Sequence, residues 1–170
     1  MSKKELYVGI DNGASGAFAI LKGGKVFSFH PLPVVKHKGV SELDIKGFAA
    51  QLEAEINKAG GREHLRFVLV EEPGGARSAK AMRVMHSVFQ AIRAVLDLYR
   101  YKWDRRTPQT WQKSIIAKTI PKGQTKPMAK QVAARLWPEE TFMYPNAKSA
   151  YSPDAVDAAL IAEYARRERM

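Results

Sequence analysis

The chain contains no cysteine, so disulfides, cysteine-bound zinc and thiol catalysis are excluded. It has no apolar run of membrane-spanning length, no leader-like segment and no basic amphipathic anchor, so no membrane partner is expected. Histidine is scarce: His30, His37, His64 and His86 are far apart, show no metal-ligand spacing and read as loop or surface residues. Acid is scarce too, with 17 Asp and Glu against 28 Lys and Arg, a net charge of +11 and a pI near 9.9. That imbalance calls for a polyanionic partner, most simply nucleic acid. There is no internal repeat, low-complexity tract or linker. The 170 residues therefore read as one domain, 1–170, with a sizeable core.

The few acids stand in unusual places. Asp11 ends the apolar run Leu6-Tyr7-Val8-Gly9-Ile10, and Glu71 ends Phe67-Val68-Leu69-Val70. Asp154 and Asp157 open an Ala-rich helical stretch, with Leu160 and Ile161 one turn beyond Asp157. Carboxylates at the ends of buried elements are costly to desolvate unless something offsets their charge. A hard cation with oxygen ligands does so. Simpler roles exist for each. Asn12-Gly13 suits a plain hairpin turn, Glu71 and Glu72 suit a solvated strand end, and Asp154 suits the positive end of a helix dipole. Strand continuity favours Glu71 over Glu72, which falls on the opposite face.

The cations are concentrated. Residues 100–135 hold ten Lys and Arg against one acid, Asp104, a net +9. Trp103, Trp111 and Trp137 lie within or beside this segment. Cations meet phosphates and aromatics stack on bases, although at least two of the tryptophans suit a core.

Periodicity predicts strands at 6–11, 17–21 and 26–30, a loop at 34–41 and a helix over 42–59 stopped by Gly60-Gly61. A strand at 66–71 and a helix over 78–98 follow, the latter with Met82, Met85, Val88, Phe89, Ile92 and Leu96 on one face. A fifth strand is expected within 100–106. Thr107-Pro108 opens a helix to about Lys118, Pro127 opens another to Leu136, and Ser152-Pro153 caps the last, to about Arg167. A three-stranded meander followed by alternating helices and strands implies an α/β fold with a mixed sheet and helices on its faces.

The ordered set Gly9-Ile10-Asp11-x-Gly13, Val70-Glu71 at a strand end, and Asp154-x-x-Asp157-Ala158 resembles the RuvC-type Holliday-junction resolvases of the RNase H-like superfamily. Phage and organellar members are closest in appearance. Pro108-x-x-Trp111-x-Lys113 and Thr125-Lys126 lie where that family carries functional lysines. The resemblance implies a five-stranded RNase H-like sheet with helices on both faces. It also implies a homodimer that nicks four-way or other branched DNA symmetrically, in recombination and repair, within a bacterial or phage-infected cytoplasm or an organelle. Asp11, Glu71, Asp154 and Asp157 become ligands of two Mg²⁺ or Mn²⁺ ions, and no nucleotide cofactor is implied. Lys113 and Lys126 become catalytic candidates near the scissile phosphate. Arg105, Arg106, Lys113, Lys118, Lys122, Lys126 and Lys130 are the expected DNA contacts. The helix around Met82–Phe89 is the expected dimer surface. Asn12 replaces a frequent proline, and Glu72-Pro73-Gly74-Gly75 replaces the usual junction-probing residues.

Three other readings remain open on the sequence. One is an ATP-binding protein of the actin and sugar-kinase class, which would need a second lobe and has no Walker-type lysine loop here. Another is the same fold acting on RNA or an RNA–DNA hybrid. The third is a non-catalytic nucleic-acid binder. Ser15 and Ser78 lack a nucleophile setting, and Ser152 is explained as a helix cap.

Overall fold

The computed structural model describes residues 4–13, 15–75, 78–145 and 151–170. Five strands form one mixed sheet: β1 (Leu6–Asp11), β2 (Ala17–Lys22), β3 (Lys25–Pro31), β6 (Leu65–Glu71) and β7 (Trp103–Arg106). Their spatial order is β3-β2-β1-β6-β7. The first three form an antiparallel meander, while β1–β6 and β6–β7 are parallel. Strands β1 and β6 are apolar on both faces because helices cover both sides.

Side-chain alternation divides the core in two. Leu6, Val8, Ile10, Val68 and Val70 face α1 (Ile45–Ala59) and α2 (Ala79–Leu98). Tyr7, Phe67 and Leu69 face α3 (Pro108–Ile115), α4 (Thr125–Leu136) and α5 (Pro153–Arg167). Helix α5 is buried from Ala155 through Ala165 and lies across β1. Gly9 permits this approach: a Cβ there would stand 2.1 Å from the Ala158 carbonyl oxygen and 2.4 Å from the Ala162 nitrogen. Ser152 caps α5 as expected, accepting the Ala155 N–H at 3.2 Å. Trp111 and Trp137 are core residues, and Trp137 Nε1 donates to the Gly24 carbonyl at 2.9 Å.

Several boundaries differ from the sequence reading. The stretch expected as a loop contains a hairpin, β4 (Val34–His37) and β5 (Val40–Leu43). Its turn places Lys38 and Gly39 at φ of 47° and 78°, the two positive angles that a tight two-residue hairpin needs. Helix α1 consequently starts at Ile45, where Asp44 accepts the Gly47 N–H at 3.0 Å. Strand β7 begins at Trp103, α3 stops at Ile115, and α4 begins at Thr125 with Pro127 still in its first turn. Phe89, expected on a dimer surface, is buried in this chain's own core and meets Trp103 edge-on at 6.5 Å. His30, read as a loop or surface residue although it ends the strand expected at 26–30, is half-buried in β3 with Nε2 at 3.2 Å from Glu55.

Candidate metal and phosphodiester site

The sheet's parity positions two acids. Ile10 and Val70 are parallel neighbours, so Asp11 and Glu71, one residue further along each strand, end side by side. Both belong to the α5-facing set. The first turns of α5 bring Asp154 and Asp157 to the same end of the sheet. All four acids line one pocket of about 310 Å³, with Asn12, Gly13, Met85, Pro108, Gln112 and Lys126 among the other walls.

The carboxyls are electrostatically crowded. Burial raises the Asp11 pKa well above the usual range, and the charges of Glu71, Asp157 and Asp154 raise it further. Burial lifts Glu71 to about 7, against the opposing hydrogen bond from Trp111; Asp157 adds to the rise. Asp157 is raised mainly by burial, with Lys126 opposing. The indole Nε1 of Trp111 donates to Glu71 Oε2 at 2.7 Å, fixing that carboxylate.

Lys126 supplies the positive charge within this cluster. Its ammonium pairs with Asp157 and lies 3.4 Å from Asp154 Oδ1. Burial alone would depress it, but Asp157, Asp11 and Asp154 together hold it above its ordinary range. With Lys126 seated there, no three acidic or histidine side chains among the described residues close to ligand distance. The donor set nevertheless fits a hard divalent cation: it is all carboxylate oxygen, and Asp157 Oδ1 is buried without a hydrogen-bond partner among the described residues.

The expected cations fall in different places. Lys126 enters the pocket from the first turn of α4. Lys113 is exposed and is not part of the pocket wall; its neighbour Gln112 is. Lys118 and Lys122 are exposed on the segment between α3 and α4, and neither forms an ion pair among the described residues. Lys130 sits 4.5 Å above the Tyr151 ring. Arg106 pairs with Asp104, and Arg105 lies 3.6 Å from Glu72. Glu72 thus turns toward an arginine and away from the pocket.

Sequence reasoning missed Pro108 and Gln112 as pocket walls. Their i,i+4 spacing at the start of a predicted helix is the signal that could have grouped them. It also missed Asn12 as a buried polar group. Asn12 is only 3% exposed, and both its amide atoms lack hydrogen-bond partners among the described residues.

Neither a protein-family model nor a curated protein sequence matches the chain. Solved structures do. A structure of Thermus thermophilus RuvC in complex with Holliday junction substrate superposes with a TM-score of 0.61 at 15% identity, covering 98% of this chain and 96% of that one. A second T. thermophilus RuvC structure gives a TM-score of 0.50 at 14% identity, covering 96% of each chain. The chain therefore has the RuvC, RNase H-like fold.

Proposed function

We propose that this protein is a metal-dependent, structure-selective DNA endonuclease that nicks four-way or other branched DNA junctions, acting as a homodimer. The observation that carries this reading is the convergence of Asp11, Glu71, Asp154 and Asp157 on one pocket beside a strongly basic segment. Its support from outside the chain is the shared fold with a RuvC bound to a Holliday junction.

Asp11, Glu71, Asp154 and Asp157 would hold Mg²⁺ or Mn²⁺, two ions per site. Such ions, when bound, activate water and stabilise the departing 3′ oxygen in phosphodiester hydrolysis. The chain's own residues prepare for this. Trp111 holds Glu71 in a single orientation. Lys126 balances the acids without metal and can turn to the scissile phosphate once its acidic partners are engaged. The cations between β7 and α4 offset the repulsion that a carboxylate cluster exerts on DNA.

The test is incubation of a synthetic immobile four-way junction with the protein and Mg²⁺ or Mn²⁺, beside a linear duplex and an RNA–DNA hybrid. Paired symmetric nicks in the junction are expected. Preferential cutting of the hybrid would overturn the junction assignment while leaving nuclease chemistry intact, and no cutting with either metal would overturn the nuclease reading.

A further inference from the structure

A second concavity adjoins the acid pocket. It runs between the β4–β5 hairpin and the start of α2, is about 620 Å³ in volume, and shares Asn12, Gly13, Ser15 and Met85 with the acid pocket. Among the described residues no acid lines it. Its walls include the hydroxyl residues Ser15, Ser41 and Ser78, the Lys80 side chain and the first turn of α2. Hydroxyls, an ammonium and the positive end of a 20-residue helix are donors and charges that suit phosphate.

The hairpin adds to this charge. Lys36 and Ser41 are cross-strand partners on the face that carries buried Leu43, while Glu42 lies on the other face with Val35. Lys38 stands at the turn. Lys36, Lys38, Lys80 and Arg83 are all exposed, and none has an acidic partner among the described residues. This contrasts with Arg105 and Arg106, whose charge is already partly answered by Glu72 and Asp104.

We propose that this groove carries the sugar-phosphate backbone of the nicked strand away from the scissile phosphate, with the β4–β5 hairpin as a basic clamp over it. The assignment rests on the endonuclease reading. Metal-binding acids and a neighbouring acid-free, cation-edged channel divide the work. One holds the reacting phosphate, and the other holds the phosphates next to it. The hairpin also exposes Val34, Val35 and Val40. These would suit a protein partner, but they do not account for the unpaired lysines or for continuity with the acid pocket.

The experiment measures binding of an immobile four-way junction by the full-length Asp11→Asn chain across a range of salt. Adding Lys36→Gln, Lys38→Gln and Lys80→Gln should weaken binding about tenfold and flatten the log–log salt slope by about 2–3, roughly one for each phosphate no longer neutralised. The corresponding three Lys→Arg changes should retain both affinity and slope. Lys80→Gln alone, on an exposed helical position, should flatten the slope by about 1, which guards against misfolding of the triple variant. Unchanged affinity and slope in the triple variant would overturn the clamp and leave the endonuclease reading standing. Unchanged DNA binding with a Val35→Asp variant that sediments differently would assign the hairpin to a protein interface instead. Failure of the Asp11→Asn chain itself to bind the junction would remove both readings.

Discussion

The indole nitrogen of Trp111 on α3 donates a 2.7 Å hydrogen bond to Glu71 at the end of β6. A fully buried aromatic residue thereby orients a carboxylate at the mouth of the pocket and opposes the upward push of burial on its pKa. Trp111→Phe keeps most of the packing and removes the donor. It should cost about 1–3 kcal/mol in stability. Nicking at pH 7 should fall about tenfold and recover as pH rises, because Glu71 would ionise later. A pH–rate profile superimposable on the wild type's would separate this hydrogen bond from function.

Asp11→Asn removes a charge from the most crowded position. Nicking should fall by at least about a hundredfold, the scale of losing one electrostatic contributor to a transition state. Junction binding should survive. Without divalent metal at pH 8 the variant should also melt higher than the wild type, by about 2–4 °C for each kcal/mol of repulsion relieved. Calorimetry with chelator present reads this directly, and a lower midpoint would show that the carboxyl carries a structural role.

Asp11, Glu71 and Asp157 all have raised folded-state pKa values, so the folded chain binds more protons than the unfolded one above the ordinary carboxylate range. Their contribution to stability is present below that range and is lost as pH rises through about 7, where Glu71 titrates. Glu55 and Asp104 are lowered and act oppositely, losing stability as pH falls. Metal-free protein should therefore be less stable at pH 8 than near pH 5–6. Mg²⁺ or Mn²⁺, by binding the folded chain, should erase this decline. Midpoints that rise between pH 6 and 8 in chelator would contradict the crowding.

Lys126 and Lys113 separate on position. Lys126→Ala should lower nicking about a hundredfold. Its side chain is about half-exposed, so the stability loss should stay at about 1 kcal/mol. Lys113→Ala, outside the pocket, should leave the rate at saturating junction within about threefold, as suits a solvated charge. Equal losses of maximal rate in the two variants would place Lys113 at the reacting phosphate after all.

Gly9→Ala forces α5 away from β1, since the new Cβ would overlap backbone atoms of Ala158 and Ala162. A stability loss of about 3 kcal/mol or more is expected, the upper range for overpacking. Nicking should fall with it, because α5 carries two of the acids. Denaturant unfolding reads the first effect; a loss under about 1 kcal/mol would mean that the helix re-seats freely.

The parts of the fold legible in the sequence were those with strong local periodicity. The central strands, the last helix and its Ser152 cap were of this kind. The β4–β5 hairpin was not, because two four-residue strands that carry Lys36, His37 and Glu42 and are joined at Lys38-Gly39 show no alternation of the kind a half-buried sheet imposes. Trp111 was recognisable as a core candidate, but its bond to Glu71 joins residues 40 positions apart. Nothing local encodes that pairing.

By itself, then, the sequence determined which acids end buried elements, how much positive charge surrounds them, and that Asp11 and Glu71 each belong to their strand's odd-numbered face. These are properties of near neighbours, set by a side-chain period of two. Only the tertiary structure decided that α5 lies on that face, that Lys126 and Gln112 reach the pocket while Lys113 does not, and that the hairpin borders a second groove. The physical reason is that helix placement and side-chain convergence follow from long-range packing, here from the single missing Cβ at Gly9 and the approach of α3 and α4 to α5.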